Sequence, residues 1–572
     1  MTDRQGKNLL CFGDNLDFLR DTSLLPDESV DLIYLDPPFN SQQNYNVLFK
    51  ETTGTPAAAQ IKAFEDTWTW DSAANDALVM LHQDSSVPAP LVDLSDTLMK
   101  FLKATPMMAY LVQMAVRLVH MHRVLKPAGS LYLHCDPTAS HYLKLILDAI
   151  FGPTRFLNEI VWKRHNARST SGKWPSVHDT LLVYVKGDSF TYHGVLVPGD
   201  TRKIPHTLIT GPDGTKYQTY ELTAPGKTQQ GESGKPWHGF DPSAMGRHWA
   251  NSHSTMDEWD AAGLIHWPKN NGFPRRKDEE AFVPEARTVT VGDVWIDIDR
   301  INQTAKERLG YPTQKPLELL KRIISASSNP GDVVLDPFCG CGTTIDAVET
   351  LNRENAKEPP RTWIGIDITH LSINLIKHRL TRFKDPPVSY EVLGEPASVS
   401  GAEALAQQDP FQFQFWALGL LGARPAGGRK KKGADQGIDG VRYFVDEQVG
   451  GAWTGKTMLV QVKSGKVGAK DIRDLAGTMG REKAELAVFV TLQAPTQPMR
   501  TEAAAAGSYI SPYDRQAYPR VQIVTIDELL RDPQRPNPRC VRVPGGAAQH
   551  TLPEAPKHKA RSARQGTLGF EP

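Results

Sequence analysis

The tetrapeptide Asp36-Pro37-Pro38-Phe39 follows the apolar run Val30–Leu35, which reads as a buried strand. Ligands of open α/β sheets bind beyond the carboxyl ends of strands, so the tetrapeptide is placed in a crevice. Two prolines fix φ and contribute no N–H donors. What remains is a set of backbone carbonyls beside a carboxylate and an aromatic ring. Acceptors and a stacking face suit an exocyclic amine on a planar base. The competing reading is a proline-stiffened loop with a capping Asp.

Asp336-Pro337-Phe338-Cys339-Gly340-Cys341-Gly342-Thr343-Thr344 follows the strand-like Val333–Leu335 and opens a helix through Ile345–Leu351. Its glycines allow a ligand to approach the backbone closely. The loop lacks the Lys-Ser/Thr ending of a P-loop. The next strand, Trp363–Ile366, ends at Asp367, where an acid is placed to bind ribose hydroxyls. The polar stretch Arg353–Arg361 accounts for the long spacing between the two acids. Cys339 and Cys341 lack partner Cys or His residues at metal-ligand spacing. A third centre is Asp439 in Gly437-Ile438-Asp439-Gly440, followed twenty-two residues later by Gln461-Val462-Lys463. Alternation puts Gln461 and Lys463 on one strand face. A carboxylate, a side-chain carbonyl and a Lys on adjacent strand ends can hold Mg²⁺ and activate water. A surface hairpin carrying a lone Lys is the plain alternative.

The elements that must position these residues alternate. Val30–Leu35, Ser130–His134, Val333–Leu335 and Trp363–Ile366 read as strands. Leu111, Met114, Leu118, Met121 and Leu125 share one helix face, with Pro127 and Gly129 as punctuation. The pattern predicts an α/β fold, a parallel sheet with helices on both faces. Residues 163–300 are rich in Gly, Pro, Trp, His and Asn and read as an insertion. Residues 384–404 read as a linker. Residues 405–530 form a second, smaller α/β domain, with a helix over Phe411–Ala423 and strands at Val441–Val445, Met458–Val462 and Leu486–Leu492. Residues 531–572 read as an extension and a basic disordered tail.

The motifs and their order resemble the β class of S-adenosylmethionine-dependent DNA amino-methyltransferases, which act on N6 of adenine or N4 of cytosine. Gly13-Asp14-Asn15 lies upstream of Asp36. Ser130-Leu131-Tyr132-Leu133-His134-Cys135-Asp136 is similar to a later strand motif, and Thr313-Gln314-Lys315-Pro316 precedes the glycine loop. The resemblance covers about residues 8–383 and implies a Rossmann-like sheet with 163–300 as the target-recognition region. It implies that Asp36 and the Pro37 carbonyl accept hydrogen bonds from the target amine, with Pro38 beside them and Phe39 stacked on the base. It assigns Asp14, Thr313, Lys315, Asp336, Phe338, Gly340, Gly342, Thr343 and Asp367 to S-adenosylmethionine. The target base must leave the duplex. Asp in the first motif position leans toward N6 of adenine, whereas N4-cytosine members more often carry Ser.

Gly433–Gly440, Gln461–Lys463, the following helix and the strand Ala487–Thr491 resemble the Mrr-type branch of the PD-(D/E)xK restriction endonucleases, in which Gln often replaces the second acid. This implies a restriction-endonuclease-like domain with Asp439 and Gln461 on Mg²⁺ and with Lys463 catalytic. Relatives commonly carry a Glu on the preceding helix, where this chain has Gln412 and Gln414, and Glu403 lies outside that helix. Two readings follow: a restriction–modification enzyme in one chain, or a methyltransferase (N4-cytosine included) whose inactive C-terminal domain grips DNA. A non-catalytic DNA-binding regulator is the third.

The chain has 572 residues, 40% of them hydrophobic, with 65 Lys+Arg against 65 Asp+Glu. That length exceeds one core, and the composition excludes wholly disordered and collagen-like chains. No apolar run approaches a membrane span. Five scattered cysteines without a framework favour a reducing interior, hence a cytoplasmic, nucleoid-associated enzyme. Double-stranded DNA is the expected partner, and a homodimer is compatible with the sequence. With neither P-loop nor helicase motif, ATP-driven translocation would fall to a separate motor subunit. The zero net charge is an average: residues 1–100 carry a balance of −10, while 163–203, 401–433 and 557–564 carry +4, +3 and +4. Lys163, Arg164, His165, Asn166 and Trp174 suit phosphate and base-edge contacts. Binding is expected to be local and salt-sensitive.

Overall fold

The computed structural model describes residues 6–38, 69–166, 172, 174–198, 209–210, 216–217, 219–228, 231–268, 272–277, 288–302, 305, 307–309, 311, 313–426, 438–449, 452–532 and 538–544. Phe39, Arg168, Lys173, Arg202, Lys203, Gly427–Gly437 and the basic tail lie outside them.

A nine-stranded sheet organises the first domain. Its order is Val294–Trp295, Phe156–Lys163, His178–Val185, Leu125–Cys135, Val30–Leu35, Val333–Asp336, Thr362–Asp367, Leu9–Phe12 and Glu391–Leu393. Val30–Leu35 is buried at five of its six positions, which explains its near-continuous apolar sequence in the middle of the sheet. The sheet is mixed: His178–Val185 runs antiparallel to both of its neighbours. The helix read from Leu111 onward spans Pro106–Val124, with Thr105 as its cap and Pro106 in its first turn. Leu125 opens the next strand, and Pro127 and Gly129 lie inside that strand. They fit because the pairing with Val30–Leu35 is irregular there, Val30 facing Leu125 and Leu32 facing Ser130.

The insertion is smaller than its compositional signature. A compact unit comprises 194–292, whereas His178–Val185 and Val294–Trp295 are strands of the main sheet. Within that unit, Leu222, Trp237, Trp249, Met256 and Ile265 form a core of their own. Trp237 stacks on Trp267 with centroids 5.5 Å apart, and the Arg276 guanidinium lies 4.3 Å from the Trp259 centroid.

The stretch read as a linker is structured. Glu391–Leu393 extends the sheet by pairing with Leu9–Phe12, and Ser398 caps a helix over Val399–Gln408. Edge pairing supplies the order that the weak apolar period did not announce.

The C-terminal domain is a five-stranded sheet ordered Arg424–Pro425, Gly440–Val449, Ala452–Lys463, Leu486–Thr491 and Val521–Thr525. Phe413 and Trp416 of the helix Pro410–Leu420 pack on Val460, Val462 and Val488. Leu459 and Phe489 face Ile472 and Leu475 on the other side. This domain meets the first through two helices. Asn374 Nδ2 of His370–Leu380 donates to the Phe415 carbonyl at 2.6 Å. A side chain at Gly419 would stand 2.0 Å from Asn374 Oδ1, so only glycine fits the contact. Among the described residues no helix is long and apolar enough to cross a membrane.

Candidate active sites

At the carboxyl ends of the sheet lies a cavity of about 190 Å³ lined by Asp14, Asp36, Pro37, Pro38, Thr313, Lys315, Asp336, Phe338, Gly340, Thr343 and Asp367. Residues far apart in sequence meet there because Val30–Leu35 and Val333–Asp336 are neighbouring parallel strands. Of the residues assigned from sequence, Gly342 is not part of the wall. It takes φ +75°, and a Cβ there would stand 2.6 Å from Ile376 Cγ1, so it shapes the loop from beneath.

Asp336 and Asp367 hold the glycine loop. Asp336 accepts from the Phe338 N–H at 3.1 Å and from the Thr344 hydroxyl. Asp367 accepts from the Gly340 N–H and from the N–H and hydroxyl of Thr369, each at 2.9 Å. Each carboxylate retains lone pairs for a ligand. Burial pushes the Asp336 carboxyl up to about 7, against its hydrogen bonds from Thr344 and Phe338 and with help from the charges of Asp36 and Asp367. Burial likewise raises Asp367 to about 6. A cavity lined by four acids, Asp14, Asp36, Asp336 and Asp367, favours a cationic ligand. A small cationic molecule carrying a ribose fits this donor and acceptor set.

Asp14 caps the helix Asn15–Arg20 through the Leu16 N–H at 2.9 Å. The Arg117 guanidinium also grips it, at 2.7 and 3.0 Å from its two oxygens. Arg117 Nε donates to Asn15 Oδ1 at 2.7 Å, and Asn15 Nδ2 donates to the Pro337 carbonyl at 2.7 Å. This chain fastens the amino-terminal loop to the glycine loop. Sequence reasoning missed Arg117, Asn15, Tyr34 and Tyr311 as wall residues. A signal existed for Arg117: it is a lone buried charge among Met114, Leu118 and Met121.

Asp36 is mostly buried. One carboxylate oxygen, Oδ2, forms a close ion pair with Lys315 Nζ. The other, Oδ1, is buried and has no hydrogen-bond partner among the described residues. A buried acceptor left unmatched is costly, and an incoming N–H donor removes that cost. Thr313 lies beside it on the wall. Gln314 also lines the cavity and braces its own loop, accepting from the Leu309 N–H at 2.8 Å.

In the second centre, Asp439 Oδ2 accepts from the Val462 N–H at 2.6 Å, which ties the loop before Gly440–Val449 to the adjacent strand. Gln461 is 6% exposed and its Oε1 is buried with no hydrogen-bond partner among the described residues, an oxygen donor that suits a hard divalent cation. Lys463 is exposed on the same strand. Among the described residues no group of three or more His, Cys, Asp or Glu side chains converges on a metal position. Gln412, a candidate for the missing helix acid, points elsewhere: its Oε1 accepts from the His370 N–H at 2.9 Å. Glu403 is exposed on the helix Val399–Gln408.

Residues 30–378, more than half of the chain, match the DNA methylase family, and residues 405–531 match the restriction endonuclease family. The chain belongs to the DNA methylases and carries a restriction endonuclease domain at its C-terminal side. It is 32% identical over 287 residues to the type II methyltransferase M.EcaI of Enterobacter cloacae, covering 49% of this chain and 60% of that protein. It is 27% identical over 390 residues to the StyLTI Mod subunit, from a type III restriction-modification enzyme of Salmonella typhimurium, covering 63% of this chain and 52% of that protein. The DNA adenine methyltransferase YhdJ of Escherichia coli is 25% identical over 366 residues, covering 64% of this chain and 80% of that protein. The match thus spans little more than half the length of the first two.

Proposed function

We propose that the chain methylates N6 of adenine in double-stranded DNA with S-adenosylmethionine, and that its C-terminal domain is a Mg²⁺-dependent endonuclease in a restriction–modification system. The observation that carries the first half is Asp36 Oδ1, a buried acceptor unmatched among the described residues, in the cavity that also holds the glycine loop and Asp367. Bound there, S-adenosylmethionine supplies a methyl group on a sulfonium. Asp367 and the Gly340 loop hold the nucleoside end, and Thr313 with Lys315 receives the amino-acid end. Asp36 Oδ1 and the Pro37 carbonyl accept the two N–H bonds of the flipped amine and turn its lone pair toward the methyl. Positioning and a preorganised acceptor do most of the catalytic work. The adenine reading also agrees with the relative YhdJ being a DNA adenine methyltransferase.

In the second half, Asp439 and Gln461 supply oxygens to Mg²⁺ and Lys463 meets the phosphate. A second reading, in which this domain only grips DNA, is favoured by the lack, among the described residues, of any group of three His, Cys, Asp or Glu side chains converging there. Labelled methyl transfer to unmethylated DNA tests the main reading. Asp36→Ala should lower the rate by about 10²–10³-fold or more while leaving cofactor binding intact. Equal rates for this variant and the wild type would refute the reading.

A further inference from the structure

Four neighbouring strands place polar side chains on one face of the sheet beside the Asp36 cavity. They are Tyr34 on Val30–Leu35, His134 on Leu125–Cys135, Asp179 on His178–Val185, and Arg164 just beyond Phe156–Lys163. Strand alternation puts Tyr34 on the same face as Asp36. Tyr34 lines the cavity. Its Oη lies 2.9 Å from His134 Nδ1, and His134 Nε2 lies 3.2 Å from Asp179 Oδ2. Tyr34, His134 and Asp179 are 2%, 0% and 1% exposed. Arg164 Nε sits 3.2 Å from Asp179 Oδ1, with its side chain partly exposed.

Burial of three such groups is unfavourable unless their polar atoms are matched. The Tyr34–His134 and His134–Asp179 contacts are matched in one protonation pattern, while Asp179 Oδ1 meets Arg164 as an ion pair without a hydrogen bond among the described residues. Burial pushes the Asp179 carboxyl up, but the hydrogen bond from His134, with the charges of Lys315 and Arg164, holds it below its ordinary range. Asp179 is therefore a carboxylate that accepts from His134 Nε2–H. That leaves the Nδ1 lone pair of His134 to accept the Tyr34 hydroxyl. Trp162 meets the imidazole edge-on, with centroids 5.8 Å apart, and fixes its plane. The arrangement is a tyrosine, histidine and carboxylate in series, leading from the reaction cavity to a partly exposed arginine.

Resting on the methyl-transfer reading above, we infer that this series removes the proton that the target nitrogen must lose. As the nitrogen lone pair forms its bond to the methyl carbon, the carbon–sulfur bond breaks and the nitrogen becomes cationic. The N–H bond that had faced the Pro37 carbonyl then turns to Tyr34 and breaks, its proton passing to Tyr34 Oη. The original Tyr34 proton passes to His134 Nδ1, and the imidazolium is held against the Asp179 carboxylate. Tyr34 touches substrate, while His134 and Asp179 act through it as positioning and proton-accepting residues. Asp36 is thereby free to stay an acceptor for the remaining N–H.

The test compares single-turnover methyl transfer, cofactor and DNA dissociation constants, and the solvent deuterium isotope effect in wild type, Tyr34→Phe and His134→Asn. Tyr34→Phe removes one hydroxyl and keeps the ring. His134→Asn keeps an acceptor for Tyr34 but cannot take its proton. The expected result is a loss of about 10²-fold in transfer rate in both variants, with dissociation constants unchanged and the isotope effect lost. Wild-type transfer with an unchanged Tyr34→Phe rate and isotope effect would overturn the relay alone. No transfer by the wild type would overturn the methyl-transfer reading and the relay with it. If His134→Asn fails to fold, Tyr34→Phe decides the matter.

Discussion

The two chemical centres of this chain are built on opposite plans. The Asp36 cavity is lined from several loops, its acids are braced from several strands, and its loops are laced together through Arg117 and Asn15. At the Asp439 centre, the Asp439 carboxylate accepts from Val462 and its backbone pairs with Ala426 and Val460, while Gln461 Oε1 is unmatched among the described residues and Lys463 is exposed. The first centre preorganises acceptors for a small cationic ligand before any DNA arrives. On the proposed reading, the second centre would be completed by metal and phosphate at the moment of use. Preorganisation favours a reaction that depends on orientation, and completion at use suits a step that must wait for a substrate to be recognised.

The comparison breaks most visibly if the centres are not separable. Asp36→Ala is expected to remove methyl transfer and leave Mg²⁺-dependent cleavage of unmethylated DNA unchanged. Lys463→Ala is expected to do the reverse, with cleavage lost below detection. Assaying both activities on both variants checks this, and a variant that loses both would mean one functional centre rather than two.

A smaller effect is expected at Gly342. Alanine there combines a positive φ with a close approach to Ile376, a cost of about 1–3 kcal/mol. Because Gly342 lies under the loop, calorimetry of cofactor binding should show about 10–100-fold weaker affinity, with the C-terminal activity intact. Unchanged affinity would mean that the loop is less constrained than its geometry indicates.

The smallest effect is a pH dependence. Asp336 and Asp367, raised by burial to about 7 and about 6, bind protons more tightly in the folded protein than in the unfolded chain. Their contribution to the stability of the empty protein is therefore present at low pH and declines as pH rises through the window from about 4 to 7. A cationic ligand favours the ionised carboxylates, so its affinity should move oppositely, strengthening from pH 5 to 8 with proton release. Calorimetry in buffers of different ionisation enthalpy reads this directly. Affinity that is flat over that range would show that neither acid titrates on binding.

Much of this architecture was legible from local pattern. Val30–Leu35 has the predicted bounds because a continuous apolar run ending in Asp-Pro-Pro leaves little freedom. The glycine loop and Asp367 fall on one wall because strand-turn-helix order dictates it. What stayed hidden depends on closure over long sequence separation. Lys315 reaches Asp36 from 279 residues away, and Arg117 reaches Asp14 across 103. Tyr34, His134 and Asp179 read as ordinary strand residues until pairing order makes them neighbours. Gln412 looked available for a metal only while its neighbour His370 was unknown. The ends of the insertion and the strand Glu391–Leu393 were misjudged for a related reason: composition reports flexibility, whereas membership of a sheet is decided by partners.

The central claim is most directly tested by mass spectrometry of nucleosides from unmethylated DNA treated with the protein and isotopically labelled S-adenosylmethionine. The account predicts labelled N6-methyladenine with wild type and none with Asp36→Ala. Labelled N4-methylcytosine, or no label in any nucleoside, would contradict it.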